Sequence, residues 1–122
     1  MKLLYIEDQP VNARVLSLFV EKLWGDYLSS VETAEESFEL LINEDFDLIY
    51  MDINLPKMNG LEAVRHIKNQ LNLKDIPIIV ISANTNEKVI SEAIESGCQG
   101  YLKKPVRIDE LKRLTEEALK IN

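Results

Sequence analysis

Leu48-Ile49-Tyr50-Met51-Asp52-Ile53-Asn54-Leu55-Pro56-Lys57-Met58-Asn59-Gly60 begins as an apolar run of strand character and gives way to a loop at Asn54, Pro56 and Asn59-Gly60. One carboxylate, Asp52, falls at the join. A lone acid at the end of a buried strand is costly unless something pairs with it, so other groups are expected at the same edge.

Outward from this stretch, strand and helix signals alternate. Leu3 to Ile6 is a short apolar strand, and Pro10 suits the first residue of a helix, where a missing N–H costs nothing. Val11, Val15, Leu18 and Phe19 share one stripe of that helix, and Gly25 stops it. Asp26 to Val31 reads as a second strand, with no charged group expected at its end. Thr33-Ala34-Glu35-Glu36 is a capping box, after which Ala34, Phe38, Leu41 and Ile42 recur at helical spacing until Asn43.

The third strand is Leu48 to Met51. Asn59-Gly60-Leu61-Glu62 makes a second box-like helix start, and Leu61, Val64, Ile67 and Leu71 mark its buried face. Pro77 introduces Ile78-Ile79-Val80-Ile81, the pattern of a central parallel strand covered on both faces. Asn84 with Glu87 starts a fourth helix carrying Val89, Ile90, Ala93 and Ile94, closed by Gly97. Tyr101-Leu102 is a fifth strand, and Ile108, Leu111, Thr115 and Ala118 give a last helix. Five strands alternating with five helices on short connections imply one α/β domain over residues 1–122. It would be a doubly wound parallel sheet with right-handed crossovers and helices on both faces.

At 122 residues, 46% hydrophobic and 29% charged, the chain can bury a core without staples. It holds no apolar run long enough to span a bilayer, and Met1 to Ile6 is too short for a signal peptide, so a soluble, cytoplasmic protein is expected without membrane insertion. Cys98 is the single cysteine, which excludes an internal disulfide and suits a small packing residue. The net charge of −7 argues against direct nucleic-acid binding. Lys103, Lys104, Arg107, Lys112 and Arg113 are a local exception, read mostly as a solvated helix face. His66 is read as a surface residue and Trp24 as a packing one.

In such sheets ligands sit beyond the carboxyl ends of the strands. Those ends carry Glu7-Asp8, Asp52, Ser82 and Lys104. Neighbouring carboxylates repel by roughly 4 kcal/mol per close pair at an effective dielectric near 20, so they need cations. Oxygen ligands without His or Cys select a hard ion, Mg²⁺ rather than Ca²⁺. Metal, ammonium and the Ser82 hydroxyl can together hold phosphoryl oxygens, which leaves an Asp52 oxygen as nucleophile and an aspartyl phosphate as product.

These residues resemble those of response-regulator receiver domains of two-component signalling. The matches are Glu7-Asp8, Met51 to Gly60 around Asp52, Ser82-Ala83, and Tyr101-Leu102-Lys103-Lys104-Pro105, in order along nearly the whole chain. The resemblance implies the flavodoxin-like strand order 2-1-3-4-5. It implies that Asp52 is the phosphoacceptor, taking its phosphoryl group from a phosphohistidine on a histidine kinase or histidine phosphotransfer protein. Asp8, Asp52 and the backbone carbonyl of Asn54 would bind Mg²⁺, or Mn²⁺ in its place, and Glu7 would act through water. Ser82 and Lys104 would hold the phosphoryl group, with the Lys104-Pro105 bond cis. Ser82 and Tyr101 would form the switch, and the fourth helix, fifth strand and fifth helix the face for a downstream protein target. A phosphorylation-linked homodimer stays open.

Ser82 stands where many members carry Thr, and Arg107 stands where a helix-capping Asp, Ser or Asn is common. Asn54 and Asn84 hold positions that influence the lifetime of the aspartyl phosphate in this family. A free single-domain regulator and the receiver of a hybrid sensor kinase both stay open, and the similarity of Glu7 to Asn12 to the opening of hybrid-kinase receivers favours the second. With no output domain expected after the last helix, the signal is expected to leave by protein contact. The chain is not expected to be an enzyme beyond its own phosphorylation and dephosphorylation. A flavodoxin-like electron carrier would need phosphate-cradling N–H and hydroxyl groups where Glu7-Asp8 stands, and a dehalogenase-like phosphatase would need an acid where Asn54 stands. The alternative of another class is a receiver-like docking module that signals without being phosphorylated.

Overall fold

Apolar runs become inner strands when both of their faces can be covered, and this chain has three such runs. β1 (Leu3–Ile6), β2 (Leu28–Val31), β3 (Leu48–Asp52), β4 (Ile78–Ser82) and β5 (Gly100–Lys103) form a parallel sheet in the order β2-β1-β3-β4-β5. The computed structural model describes residues 1–84 and 86–121; Asn122, the last residue of the expected domain, lies outside them. Every residue of β1, β3 and β4 is buried.

Side chains alternate across the sheet and split the core in two. Leu4, Ile6, Ile49, Met51, Ile78 and Val80 face α2 (Ala34–Asn43), α3 (Gly60–Arg65) and α4 (Glu87–Glu95). Leu3, Tyr5, Leu48, Tyr50, Ile79 and Ile81 face α1 (Pro10–Trp24) and α5 (Ile108–Leu119). The architecture expected from the alternation of elements is the one observed. Register pairs Ile6 with Met51 and Asp52 with Ile81, so β1, β3 and β4 release their chains at one edge.

Several local expectations change in the folded chain. Val11, Val15 and Leu18 of α1 are 74%, 43% and 51% exposed, whereas Leu16 and Val20 are buried with Phe19 and Leu23 packed beside them. Two apolar stripes compete on this helix, and the sheet covers the one containing Leu16. Ile42 and Ile94 are likewise exposed, leaving Ser37 with Leu41 and Ala93 inward. β2 starts at Leu28 rather than Asp26, whose carboxylate instead pairs with the Met1 ammonium at 3.3 Å. α4 is capped by Asn86, which accepts the Lys88 N–H, because the Asn84 side chain is occupied by the Asn86 N–H. His66 is half-buried and stacks on Phe38 with ring centroids 4.1 Å apart, contrary to the surface reading.

α3 continues into a π-helical turn, His66–Gln70, that the apolar spacing did not predict. The turn brings Lys68 inward, where its ammonium donates to the carbonyls of Lys74 (3.1 Å) and Ile76. Burial holds that lysine below its ordinary pKa against the opposing pull of Asp75. Trp24 packs in the α1 core layer, and its Nε1–H donates to Glu116 at 3.1 Å, tying α1 to α5. Among the described residues, no helix is long and apolar enough to cross a membrane.

Inside the α1/α5 layer the hydroxyls of Tyr50 and Thr115 share a buried hydrogen bond of 2.6 Å. Tyr50→Phe is expected to cost about 1–3 kcal/mol in urea unfolding by stranding Thr115, while Tyr50→Phe with Thr115→Val regains most of it. Equal losses in the single and double variants would contradict this.

Candidate functional site

The site forms because four strands end side by side and each carries a polar residue at or just after its last position. Glu7 and Asp8 leave β1, Asp52 closes β3, Ser82 closes β4, and Lys104 follows β5. One carboxylate oxygen from each of Glu7, Asp8 and Asp52 lies within 4.8 Å of the others. The Lys104 ammonium donates to Glu7 Oε1 and to Asp52 Oδ2, both at 3.1 Å. Its backbone N–H is bound to the Ser82 carbonyl at 2.9 Å, and the Lys104–Pro105 bond is cis.

Glu7 and Asp52 are 1% and 2% exposed, an unusual depth for two acids in contact. Burial, with Asp52 alongside, pushes the Glu7 carboxyl up to about 7 despite the opposing hydrogen bonds from Asn12 and Lys104. Burial would lower Lys104, but its bonds to Asp52 and Glu7 outweigh that and hold it above its ordinary value. Glu7 Oε2 is buried with no hydrogen-bond partner among the described residues. Three carboxylates, no nitrogen or sulfur ligand and an orphaned buried oxygen fit a hard divalent cation. Asp8 and Asn54 also border an open cleft of ≈550 Å³ beside the acids.

The loop after Asp52 is held close to its own strand. The Asn54 N–H donates to Asp52 Oδ1 at 3.1 Å, and the Gly60 N–H donates to the Ile53 carbonyl at 2.8 Å. A Cβ on Gly60 would stand 2.1 Å from the Asp52 carbonyl oxygen, so only glycine fits there. That close approach is invisible in the Asn-Gly pair itself, which reads equally well as a turn. Asn59 caps α3 by accepting the Glu62 N–H at 2.9 Å, as its box-like spacing predicts.

Ser82 is buried, and its Oγ accepts the Asn84 N–H at 3.0 Å, which leaves its O–H to donate. Tyr101 is half-buried, and its hydroxyl donates to the Asn84 carbonyl. Ser82 and Tyr101, the two residues expected to form a switch, thus meet on the backbone of Asn84. Asn12 was not singled out from the sequence, yet its amide donates to Glu7 Oε1 at 2.5 Å. Its available signal was Pro10, which sets the helix start and thereby places Asn12 in the first turn facing back to the strand end. Glu32, which directly follows β2, overturns the expectation of no charge there; it is exposed and borders a separate groove that includes Arg14 and Glu7. Arg107 supplies no side-chain cap to α5 and instead pairs with Asp109 at 3.3 Å.

The sequence matches the family described as response regulator receiver domain over residues 3–116. It is 31% identical to a chemotaxis protein CheY homolog of Campylobacter jejuni, covering 98% of this chain and 92% of that one. It is 37% identical to the autoinducer 2 sensor kinase/phosphatase LuxQ of Vibrio vulnificus over 91% of this chain and 13% of the larger protein. Among solved structures it resembles the receiver domain of a sensor histidine kinase from Pseudomonas aeruginosa, which has a magnesium ion coordinated in its active-site cleft. That similarity has a TM-score of 0.87 and 30% identity, and covers 97% of this chain and 96% of the other.

The raised Glu7 carboxyl gives a signed pH effect. Because the folded chain binds this proton more tightly than the unfolded one, its contribution is complete below about 4.5 and is lost as pH rises through about 7. In chelator-treated protein, urea unfolding should show stability falling more steeply over that window for the natural chain than for Glu7→Gln. Parallel slopes would refute the assignment.

Proposed function

This chain belongs to the response regulator receiver domain family of two-component signalling, and from that premise we propose that Asp52 accepts a phosphoryl group from a phosphohistidine. The donor is a histidine kinase or a histidine phosphotransfer protein, and the exchange takes place in the cytoplasm. The observation that carries this reading is the convergence of Glu7, Asp8 and Asp52 within 4.8 Å of one another, with Lys104 bridging two of them.

An Asp52 carboxylate oxygen attacks phosphorus in line as the phosphorus–nitrogen bond of the donor breaks, and the electron pair stays with the imidazole. Positioning and charge neutralisation supply most of such a transfer. Lys104 is already held over Asp52 Oδ2 and can follow the charge onto a phosphoryl oxygen, while the Ser82 O–H donates to another. Asp8, Asp52 and the Asn54 carbonyl would hold Mg²⁺ or Mn²⁺, with Glu7 acting through water. Such an ion, when bound, neutralises the charge that develops on the phosphoryl oxygens. The chain transforms no separate substrate; it catalyses only its own phosphorylation and dephosphorylation.

The output follows from how Ser82 is tethered. A Ser82 hydroxyl that turns toward a phosphoryl group alters its bond to the Asn84 N–H, and the Asn84 carbonyl is the acceptor of the Tyr101 hydroxyl. Tyr101 lies on β5 between α4 and α5, so that face is the surface offered to a downstream protein.

Incubation with a small phosphodonor and Mg²⁺ should add the mass of one phosphoryl group, and chelation or Asp52→Ala should abolish the gain. No gain, or a gain that survives Asp52→Ala, would instead favour docking without phosphorylation. On phosphorylation, amide exchange should change across residues 86–107, and an unchanged pattern there would reject the proposed output face.

A further inference from the structure

Asn12 lies outside the set of acids, hydroxyl and ammonium to which roles are given above, yet it makes a 2.5 Å side-chain contact with one of them. Its position is unusual for a helix start. With Pro10 as the first helical residue, Asn12 is third, the place from which a side chain commonly reaches back to cap the helix. Here Gln9 makes no side-chain cap and the first turn carries no acid. The Asn12 amide instead crosses to the end of β1 and donates to Glu7 Oε1.

The consequence lies in how the two Glu7 oxygens differ. Oε1 accepts from Asn12 at 2.5 Å and from Lys104 at 3.1 Å, two donors from opposite ends of the chain. Oε2 accepts from nothing among the described residues and is buried. A carboxylate gripped on one oxygen by two fixed donors has its plane set and presents the other oxygen in one direction. Lys104 cannot do this alone, because its ammonium is shared with Asp52 Oδ2.

We infer that Asn12 is a positioning residue for divalent-cation binding, saturating one oxygen of Glu7 so that the other is held toward the Asp8–Asp52 acids for an ion or its water. The inference rests on the metal reading of those acids given above. Outer hydrogen bonds to groups at metal sites commonly matter by 10–100-fold in affinity. Glu7 acting through water belongs to the lower end of that range.

The probe is Mg²⁺ alone, titrated calorimetrically into the natural chain, Asn12→Ala, Glu7→Gln and the double variant, with no phosphodonor present. Alanine is the best helix former, so Asn12→Ala should keep the fold, which far-ultraviolet circular dichroism verifies. Asn12→Ala is expected to weaken Mg²⁺ about 10-fold in the natural background and less than about 2-fold in the Glu7→Gln background. Undiminished affinity in Asn12→Ala would overturn the positioning role and leave the metal reading intact. Equal weakening in both backgrounds would overturn it too, since Asn12 would then act other than through Glu7. Absence of Mg²⁺ binding by the natural chain would remove the metal reading and this inference together. Should Glu7→Gln bind too weakly to titrate, the Asn12 side-chain NH₂ resonance of the natural chain decides: movement on adding Mg²⁺ supports the role, and a fixed resonance overturns it.

Discussion

Lys104 reaches both Glu7 and Asp52 at 3.1 Å, and the carboxyl edge of the sheet depends on that bridging contact. Three acids converge there and, among the described residues, Lys104 is the one ammonium paired with them, so the edge is rich in negative charge. At roughly 4 kcal/mol per close pair, the repulsion is too large to ignore in a chain whose whole stability is of the order of 5–15 kcal/mol. The folded protein answers in two ways. Glu7 moves toward neutrality, and one of its oxygens is left without a partner at a depth where partners are the rule. Both fit an acid cluster that could bind a hard cation.

The elements around the edge depart from ordinary local rules where they touch it. α1 begins without a side-chain cap, its third residue turned to Glu7. The loop after Asp52 carries Lys57 in the left-handed region at φ 67° and closes against Gly60, where no larger residue fits. α2, α3 and α4, by contrast, have accepting caps at Thr33, Asn59 and Asn86.

Ser82 shows how a small substitution is accommodated. A serine lacks the methyl that stiffens threonine about χ1. Here the Asn84 N–H holds its oxygen at 3.0 Å, which restores orientation by a hydrogen bond rather than by branching. The same backbone unit accepts Tyr101 through its carbonyl, so the tether also connects the site to β5. Receiver domains interact with histidine kinases in two-component systems, and here a short chain of contacts links Ser82 to Tyr101 on β5.

The sequence by itself determined the alternation of strands and helices, the parallel sheet, and the five residues that meet at its edge, because strand ends and apolar periodicity are local properties. Glu7, Asp8, Asp52, Ser82 and Lys104 each follow or close an apolar run, and parallel pairing of those runs brings them together. Choices between equivalent local patterns were beyond its reach. α1 has two apolar stripes, and only the sheet decided that Leu16 and Val20 face inward while Val11, Val15 and Leu18 do not. The stack of His66 on Phe38, the inward turn of Lys68, the close fit at Gly60 and the hold of Asn12 on Glu7 join different elements or distant backbone. Contacts of that kind depend on packing distances in three dimensions, which no spacing along the chain encodes.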